Sequence, residues 1–404
     1  MSPPRNPPFR AEHIGSLVRP EALLHHRYAV AEGKKTKDSL IPVEQNAIRG
    51  IVKLQQECGI HSITNGEYSR HMFWGTFFET LNGMEQINLR QAGFDNSVFR
   101  AYAPDVKSFM HEKKIPNAVT VATGKISHTG TSSFLPEFEF LKTLVPKGKW
   151  GDIKLTLTSP SWYHLRYGPK KAYFPGVYAS DDEYFEDVAK AYQTELKILY
   201  DAGLRNAQVD DPNLAYFCSE SMLHGWEDDR ENFQTAGEQF DTYLRFYNKC
   251  FDRPKDMHLG IHLCRGNYIG SKHFSEGAYD NIAKKLFENL NVSTYYLEYD
   301  TPRAGGFEPL KYLPADKIVV LGVVTSKFPE LEDKEEMIER VMKAADIVAK
   351  GRGVSREEAL KQLSISPQCG FASHAEGNAL GYEDMRRKLM LVRSIADDVW
   401  PSQP

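Results

Sequence analysis

Short apolar runs alternate with longer amphipathic segments along most of this chain of 404 residues, and the alternation leaves few folds open. Strands that are separated in sequence by helices pair in parallel. Eight runs have the length and composition of strands, and they are residues 11–17, 60–67, 153–158, 207–210, 258–263, 293–297, 317–324 and 363–365. Eight strand and helix units predict an α/β fold, the (β/α)8 TIM barrel, in which functional groups lie at the carboxyl ends of the strands.

The segments between these runs carry apolar residues at helical spacing. The predicted helices are residues 42–58, 136–144, 181–202, 238–251, 279–290, 334–350 and 382–399. Ser180 is the expected N-cap of the helix at 181–202, and Gly203 is expected to end it. Residues 74–149 are less regular and rich in aromatic residues, with one hairpin strand at 118–123. We therefore expect one domain, residues 1–404, with an insertion at 74–149 between early strands that forms a lid or a dimer surface.

The overall charge and the cysteine content narrow the class of partner. A formal net charge of −4 shows no bias towards nucleic acid or anionic membranes. Five scattered cysteines do not make a disulfide framework, which favours reduced thiols. The proline-rich residues 1–8 contain no apolar signal segment, and no run of about eighteen apolar residues occurs. We expect a cytoplasmic protein that acts on small molecules, without a nucleic-acid or membrane partner.

Candidate metal ligands lie at three of the predicted strand ends. His262 and Cys264 are two residues apart and therefore face the same side of an extended chain. Glu298 ends another run, and Cys369 follows the last one. Cysteine sulfur, histidine nitrogen and carboxylate oxygen are the ligands that Zn²⁺ prefers. On these residues alone, a zinc site and a buried core cysteine beside a hydrogen-bonded histidine both stay open, as does an ion pair between Glu298 and Arg303.

Together with four further segments, these residues resemble the cobalamin-independent methionine synthase family. The segments are Ile14-Gly15-Ser16, Asn65-Gly66-Glu67-Tyr68-Ser69-Arg70, Ser159-Pro160-Ser161-Trp162 and Gln208-Val209-Asp210-Asp211-Pro212. Similar segments occur in that family in the strand 1 loop, in a Gly-Glu-x-x-Arg motif, near a folate-binding tryptophan and in a Gln-(Ile/Val)-Asp-Glu-Pro motif. The resemblance extends from about residue 11 to residue 395 and corresponds to the family's catalytic C-terminal barrel. The family's long N-terminal barrel has no counterpart.

The resemblance implies a zinc-dependent transfer of a methyl group from 5-methyltetrahydrofolate to a homocysteine-like thiol, giving methionine. It implies that zinc is held by His262, Cys264, Glu298 and Cys369. It also implies that Glu67 and Asp210 bind the substrate's amino group, that the backbone of Ile14, Gly15 and Ser16 binds its carboxylate, and that Trp162 lies near the folate. Alternative roles stay open for the two acids, namely a surface ion pair of Glu67 with Arg70 and a capping role for Asp210 and Asp211.

One departure from the family concerns the proton donor. Where the family has an Asp-x-His segment after strand 7, this chain reads Val-Val-Thr-Ser-Lys at 323–327. Lys327 is the catalytic candidate at that place, and His13, His71 and His374 are possible substitutes. Because of this difference the alkyl donor and the thiol stay open, and a methyl-corrinoid protein is an alternative donor. Two further alternatives are a metal-free decarboxylase of the uroporphyrinogen type and a binding protein without activity.

Overall fold

A parallel sheet of six strands forms most of the barrel wall. The computed structural model describes residues 7–89, 93, 95–114 and 116–404. Its strands are β1 (Asn82–Asn88), β2 (Ala118–Ser127), β3 (Lys154–Thr158), β4 (Asn206–Asp210), β5 (His258–Leu263), β6 (Thr294–Glu298), β7 (Ile318–Val324) and β8 (Leu363–Pro367). The parallel sheet runs from β3 to β8 in chain order, while β1 and β2 form an antiparallel pair. Every residue of β3, β4, β5, β6 and β8 is buried, as expected of strands covered on both faces.

Two extended segments close the sheet into a barrel. Ala11 forms a parallel bridge with Ile365 in β8, and Ile63 forms a parallel bridge with Ile153 beside β3. Between the two segments, a ring nitrogen of His13 lies 2.8 Å from the carbonyl oxygen of Ser62. The predicted α/β barrel is confirmed, with its first two strands, 11–17 and 60–67, reduced to single bridges.

The first two strands are short because the backbone leaves the extended conformation early in each. Gly15 has a φ of +138°, and Gly66 and Glu67 have φ values of +68° and +62°. Residues in this region of φ cannot continue a β-ladder. The turns occur where the predicted substrate-binding segments begin.

The predicted helices are present with small shifts at their ends. The helices of the described residues are α1 (Glu21–Ala31), α2 (Leu40–Glu57), α3 (Pro104–His111), α4 (Leu135–Lys142), α5 (Trp162–Arg166), α6 (Asp181–Asp201), α7 (Pro212–Tyr216), α8 (Glu220–Asp228), α9 (Ala236–Cys250), α10 (Ala283–Asn289), α11 (Lys334–Arg352), α12 (Arg356–Leu360) and α13 (Tyr382–Val399). Of these, α1, α3, α5, α7, α8 and α12 were not predicted. The Ser180 hydroxyl accepts a hydrogen bond from the Glu183 backbone, which confirms the predicted N-cap. The helix predicted at 279–290 is divided into a 3-10 turn and α10, because Ile282 between them has a φ of −117°.

The range predicted as an insertion, 74–149, contains β1, α3, β2 and α4. The β1–β2 pair is fixed to the barrel side by parallel bridging of Ala122 with Tyr173, and Phe99 bridges Tyr167. Of the proline-rich segment 1–8, residues 1–6 lie outside the described residues. None of the helices in the described part of the chain combines the length and hydropathy needed to cross a bilayer.

Candidate metal centre and substrate pocket

Four side chains with metal-binding atoms meet at the carboxyl end of the barrel. His262 lies in β5, Cys264 follows it, Glu298 ends β6, and Cys369 follows β8. All four are buried, and their ligand atoms lie within 4.8 Å of one another. The two sulfur atoms are 3.5 Å apart, and Nε2 of His262 is 3.9 Å from Oε1 of Glu298. The structure therefore brings together the four residues that the sequence had placed at three strand ends.

The surroundings of these side chains fit a bound metal ion. Nδ1 of His262 is 3.3 Å from the carbonyl oxygen of Tyr296, which orients the ring. Its Nε2 is buried and has no hydrogen-bond partner. An imidazole oriented through one nitrogen, with the other directed at sulfur and carboxylate groups, is typical of a metal ligand. Without a metal ion, a buried Nε2 that lacks a hydrogen-bond partner would lower the stability of the fold.

Glu298 is held in place by donors to both of its carboxylate oxygens. Its Oε1 accepts a hydrogen bond from the backbone N–H of Arg265 at 2.8 Å, and its Oε2 accepts one from the Arg303 guanidinium at 2.9 Å. The ion pair with Arg303 that the sequence left open is thus present, and it coexists with the place of Glu298 in the cluster. Such a partner fixes the orientation of a ligating carboxylate.

The cluster favours the charged forms of Cys369, His262 and Glu298, whereas the hydrogen bond to Cys369 and burial raise the pKa of the Cys264 thiol. The hydrogen bond from the Cys264 thiol lowers the pKa of Cys369 to about 5, and His262 contributes to this shift. Burial lowers the pKa of His262, but the Cys369 thiolate outweighs it, so that the pKa is raised to about 9. Burial also opposes the charge of Glu298, yet Arg303 and His262 keep the pKa of this carboxyl below its usual value. The cluster therefore holds a thiolate and a carboxylate, two anionic groups with which a cation can interact.

Two buried carboxylates lie next to the metal centre. Glu67 receives a hydrogen bond from the Thr156 hydroxyl at its Oε1, while its buried Oε2 has no partner. Asp210 pairs with His262 across β4 and β5, and its Oδ1 accepts a hydrogen bond from Gln208 at 2.9 Å. Burial raises the pKa of Asp210 to about 7, and the Glu67 carboxylate adds to this shift although His262 opposes it. Two carboxylates facing one space can bind an ammonium group.

The structure distinguishes between the roles that the sequence left open for Glu67, Asp210 and Asp211. Arg70 lies 3.7 Å from Glu67, but both side chains are buried, so the pair is not a surface ion pair. Asp211, rather than Asp210, caps α7 by accepting a hydrogen bond from the Leu214 backbone at 2.7 Å. Asp210 is not the capping residue, and its Oδ1 accepts the hydrogen bond from Gln208 instead.

The Ile14 to Ser16 turn lies beside the same carboxylates. The Ile14 carbonyl oxygen accepts a hydrogen bond from the Gln208 amide at 2.6 Å. A side chain at Gly15 would put a Cβ 2.4 Å from the Thr156 methyl group and 3.4 Å from the Glu67 carboxylate. The Ser16 carbonyl oxygen accepts a hydrogen bond from the Phe371 N–H at 2.9 Å, and a Cβ added at Gly370, next to Cys369, would clash with the Ser16 side chain. The turn thus borders both the carboxylates and the metal centre.

An apolar cavity of about 220 Å³ opens directly beside Cys264. Its walls include Trp74 and Phe109 from the range 74–149, Trp162 from α5, and Tyr268 from the loop after β5. The ring of Trp162 stacks on that of Trp74 with centroids 4.8 Å apart. The predicted tryptophan therefore lies in the wall of a cavity that reaches a metal ligand.

The four candidate proton donors lie in different surroundings. The Lys327 ammonium donates to the Gly266 carbonyl at 3.1 Å and to the Asn267 side chain at 3.0 Å. His13 lies where the first two extended segments of the barrel meet, and burial lowers its pKa to about 3. His71 is exposed, whereas His374 is buried, bonds Glu376 at 3.1 Å and lies 5.4 Å from the Tyr268 ring of the cavity wall. Lys327 and His374 therefore both contact residues of the cavity wall, Lys327 through Gly266 and Asn267 and His374 through Tyr268.

The family described as the cobalamin-independent synthase catalytic domain matches residues 174–396, more than half of the chain. The chain belongs to this family. It is 34% identical to the Bacillus subtilis (strain 168) protein YxjH over 98% of this chain and 96% of that protein. A crystal structure of a candidate vitamin-B12-independent methionine synthase from Listeria monocytogenes superposes with a TM-score of 0.70, at 29% identity, covering 98% of this chain and 100% of that chain. The 5-methyltetrahydropteroyltriglutamate–homocysteine methyltransferase of Thermotoga petrophila is 24% identical over 83% of this chain but only 40% of its own length.

Most residues of the cavity wall were not predicted from the sequence, and three of them form a connected group with the Trp162 ring. They are Trp74, Asp105 and Arg166, of which the first two come from the irregular range 74–149. Asp105 stands in the first turn of α3, where an acid is usually read as a helix-terminus charge. Trp74 lies only four residues beyond Arg70, at the end of a motif that had been noted, and its position was the one available signal.

Proposed function

We propose that the protein is a zinc-dependent S-methyltransferase that moves a methyl group, with 5-methyltetrahydrofolate as the first candidate donor, to the thiol of homocysteine or a similar amino acid, giving methionine. The observation that carries this proposal is the buried cluster of His262, Cys264, Glu298 and Cys369, with ligand atoms within 4.8 Å of one another. Family membership supports a methyltransferase. All five cysteines are free thiols, which supports a reducing compartment such as the cytoplasm.

Zinc held by these four residues would lower the pKa of a substrate thiol while keeping the thiolate nucleophilic. Arg303 and the Arg265 backbone donate to the two carboxylate oxygens of Glu298, so this carboxylate keeps its orientation when a thiol approaches. The carbonyl of Tyr296 does the same for His262. The chain thereby offers the metal a rigid set of ligands and leaves the cavity side open to substrates.

The amino acid part of the substrate is proposed to bind between Glu67 and Asp210. An ammonium there would satisfy the unpartnered Oε2 of Glu67 and relieve the repulsion between two buried carboxylates. The Ile14 to Ser16 turn is proposed to bind the substrate carboxylate, since it borders Glu67 on one side and Gly370 on the other. Asp210 and His262 are paired on the neighbouring strands β4 and β5, so an ammonium group bound at Asp210 would lie close to His262. The thiol of the same substrate would then lie near the cluster.

The methyl donor is proposed to enter through the apolar cavity beside Cys264. Lys327 stands where the family has a histidine, and its ammonium donates to three acceptors of the loop 266–272. We propose for it the role of fixing that loop, which carries Asn267 into the cavity wall. Neither the described residues nor the comparisons contain an observation that favours a methyl-corrinoid donor or the decarboxylase alternative.

The proposal is tested with purified zinc-loaded protein, homocysteine and 5-methyltetrahydrofolate, measuring methionine by mass spectrometry. We expect methionine from the wild type and its loss in Cys264→Ser, because one of two thiolates is removed from the cluster. Methylcobalamin and a methylated corrinoid protein serve as separate donors. Methionine from a corrinoid donor and not from the folate would reject the folate part alone, and no methionine from any donor would reject the proposed function.

A further inference from the structure

Both faces of the Trp162 ring are already covered. On one face the Trp74 ring stacks with centroids 4.8 Å apart and planes 20° apart. The central carbon of the Arg166 guanidinium lies 3.5 Å from the same ring centroid. Two planar groups at these distances cannot share one face without overlapping, so they occupy opposite faces. A planar ligand therefore finds no open face on Trp162.

The Arg166 cover is held firmly. Its guanidinium binds the Asp105 carboxylate of α3 at 2.7 Å and 2.6 Å, the Trp162 carbonyl at 2.6 Å and the Asn213 side chain at 2.9 Å. Arg166 and Asp105 are both buried, and breaking a buried ion pair of this kind is costly. Uncovering Trp162 would require these bonds to break and α3 to lose its charged contact with the barrel. We therefore expect the Arg166 guanidinium to remain stacked on Trp162 when a ligand enters the cavity.

The Trp74 ring is in a different situation. It is half-buried, lines the cavity that reaches Cys264, and contacts Trp162 by one face and Phe73 by an edge. Its backbone is fixed at the end of β3 by a hydrogen bond from the Thr158 hydroxyl to its carbonyl at 2.8 Å. We propose that Trp74, and not Trp162, is the aromatic platform on which a planar ring of the methyl donor lies, with Arg166 and Asp105 enforcing this choice.

The chemistry of the cavity indicates the kind of ring it takes. Its wall is mostly aromatic and aliphatic, and its one cationic lining side chain among the described residues, Arg166, already has a carboxylate partner. Recognition through the ring face, by stacking on an indole, does not require a charged ligand. A planar neutral heteroaromatic ring such as a pterin fits this description. The inference rests on the proposed function, because it concerns the donor of that reaction.

Calorimetric titrations of zinc-loaded wild type, Trp74→Ala and Trp74→Phe test the platform, with 5-methyltetrahydrofolate monoglutamate and the ring-only probe 6-methylpterin as ligands. We expect the alanine variant to bind both probes roughly tenfold more weakly, since removing one stacking aromatic has about that effect, and the phenylalanine variant to stay within about threefold of wild type. Trp150→Ala is the matched control, because this indole is half-buried against Lys142 and does not line the cavity. It is expected to bind both probes like the wild type.

Unchanged affinity of Trp74→Ala for both probes would overturn the inference, and so would a wild type that binds neither probe. Zinc content and the change in the absorption spectrum of the cobalt-substituted protein on adding homocysteine are measured on the same variants. These two readouts test the metal and thiol part of the proposed function without a donor. If they are normal in the wild type while neither probe binds, the donor platform fails and the thiol-binding function stands. If homocysteine changes nothing, the proposed function fails on its own.

Discussion

Replacing Glu67 by Gln tests the substrate pocket at its most specific point. The substitution keeps an acceptor for the Thr156 hydroxyl at the position of Oε1 and turns the unpartnered Oε2 into an amide. A hydrogen bond that involves a charged group contributes about 1.5–3 kcal/mol, so we expect homocysteine to bind roughly 10- to 150-fold more weakly. Because Arg70 lies 3.7 Å from Glu67 and both side chains are buried, the variant is also expected to lose some stability, so the test compares two ligands on the same variant.

The assay is calorimetric titration of zinc-loaded protein with homocysteine and with 4-mercaptobutanoate, which lacks the amino group. The wild type should prefer homocysteine, and the Glu67→Gln variant should lose most of that preference. Glu195→Gln is the matched control, since Glu195 is an equally buried carboxylate that binds His128 and Ser132 outside the pocket. It should lower the melting temperature without changing the preference. A Glu67→Gln variant that melts earlier but keeps the wild-type preference would refute the ammonium-binding role.

Two further predictions concern the barrel that carries the site. Glu12 and Lys154 form an ion pair in which both side chains are fully buried, so Glu12→Gln is expected to cost about 3–5 kcal/mol in urea unfolding, and adding Lys154→Met should recover part of this loss. A Glu12→Gln variant as stable as the wild type would contradict that energy. Gly15→Ala is expected to lower stability by roughly 1–3 kcal/mol and to abolish homocysteine binding, because Gly15 has a φ of +138° and an added Cβ would lie 2.4 Å from the Thr156 methyl group. Normal homocysteine titration of this variant would show that the turn does not border the substrate.

The barrel could be predicted from the sequence because its evidence is local. The strand β5 was predicted with the bounds that it has, His258–Leu263, since its apolar run ends abruptly at Cys264. The meeting of His262, Glu298 and Cys369 followed from the rule that parallel strands bring their carboxyl ends to one edge. The early strands were predicted too long, because the backbone turns with positive φ values at Gly15 and Glu67 and thereby leaves the ladder.

What could not be predicted depends on partners far apart in the chain. The Arg166 guanidinium that covers Trp162 is held by Asp105, 61 positions earlier, and by Asn213, 47 positions later. The sequence motif around Trp162 therefore indicated a residue of the cavity wall, while the order of the stacked groups had to come from the structure. The same is true of Gln208, whose amide joins the Ile14 carbonyl, 194 positions away, to the Asp210 carboxylate. No spacing rule in the sequence indicates such contacts.

The most direct test of the central claim is X-ray absorption at the zinc edge, with the metal content of the same sample, before and after adding homocysteine. We predict about one zinc per chain with two sulfur ligands, and a third sulfur ligand when homocysteine binds. Cys369→Ser should lose most of the metal, because its sulfur lies 3.5 Å from that of Cys264 in the cluster. A protein that binds less than about half a zinc per chain, or whose zinc keeps the same ligands in the presence of homocysteine, would contradict the account.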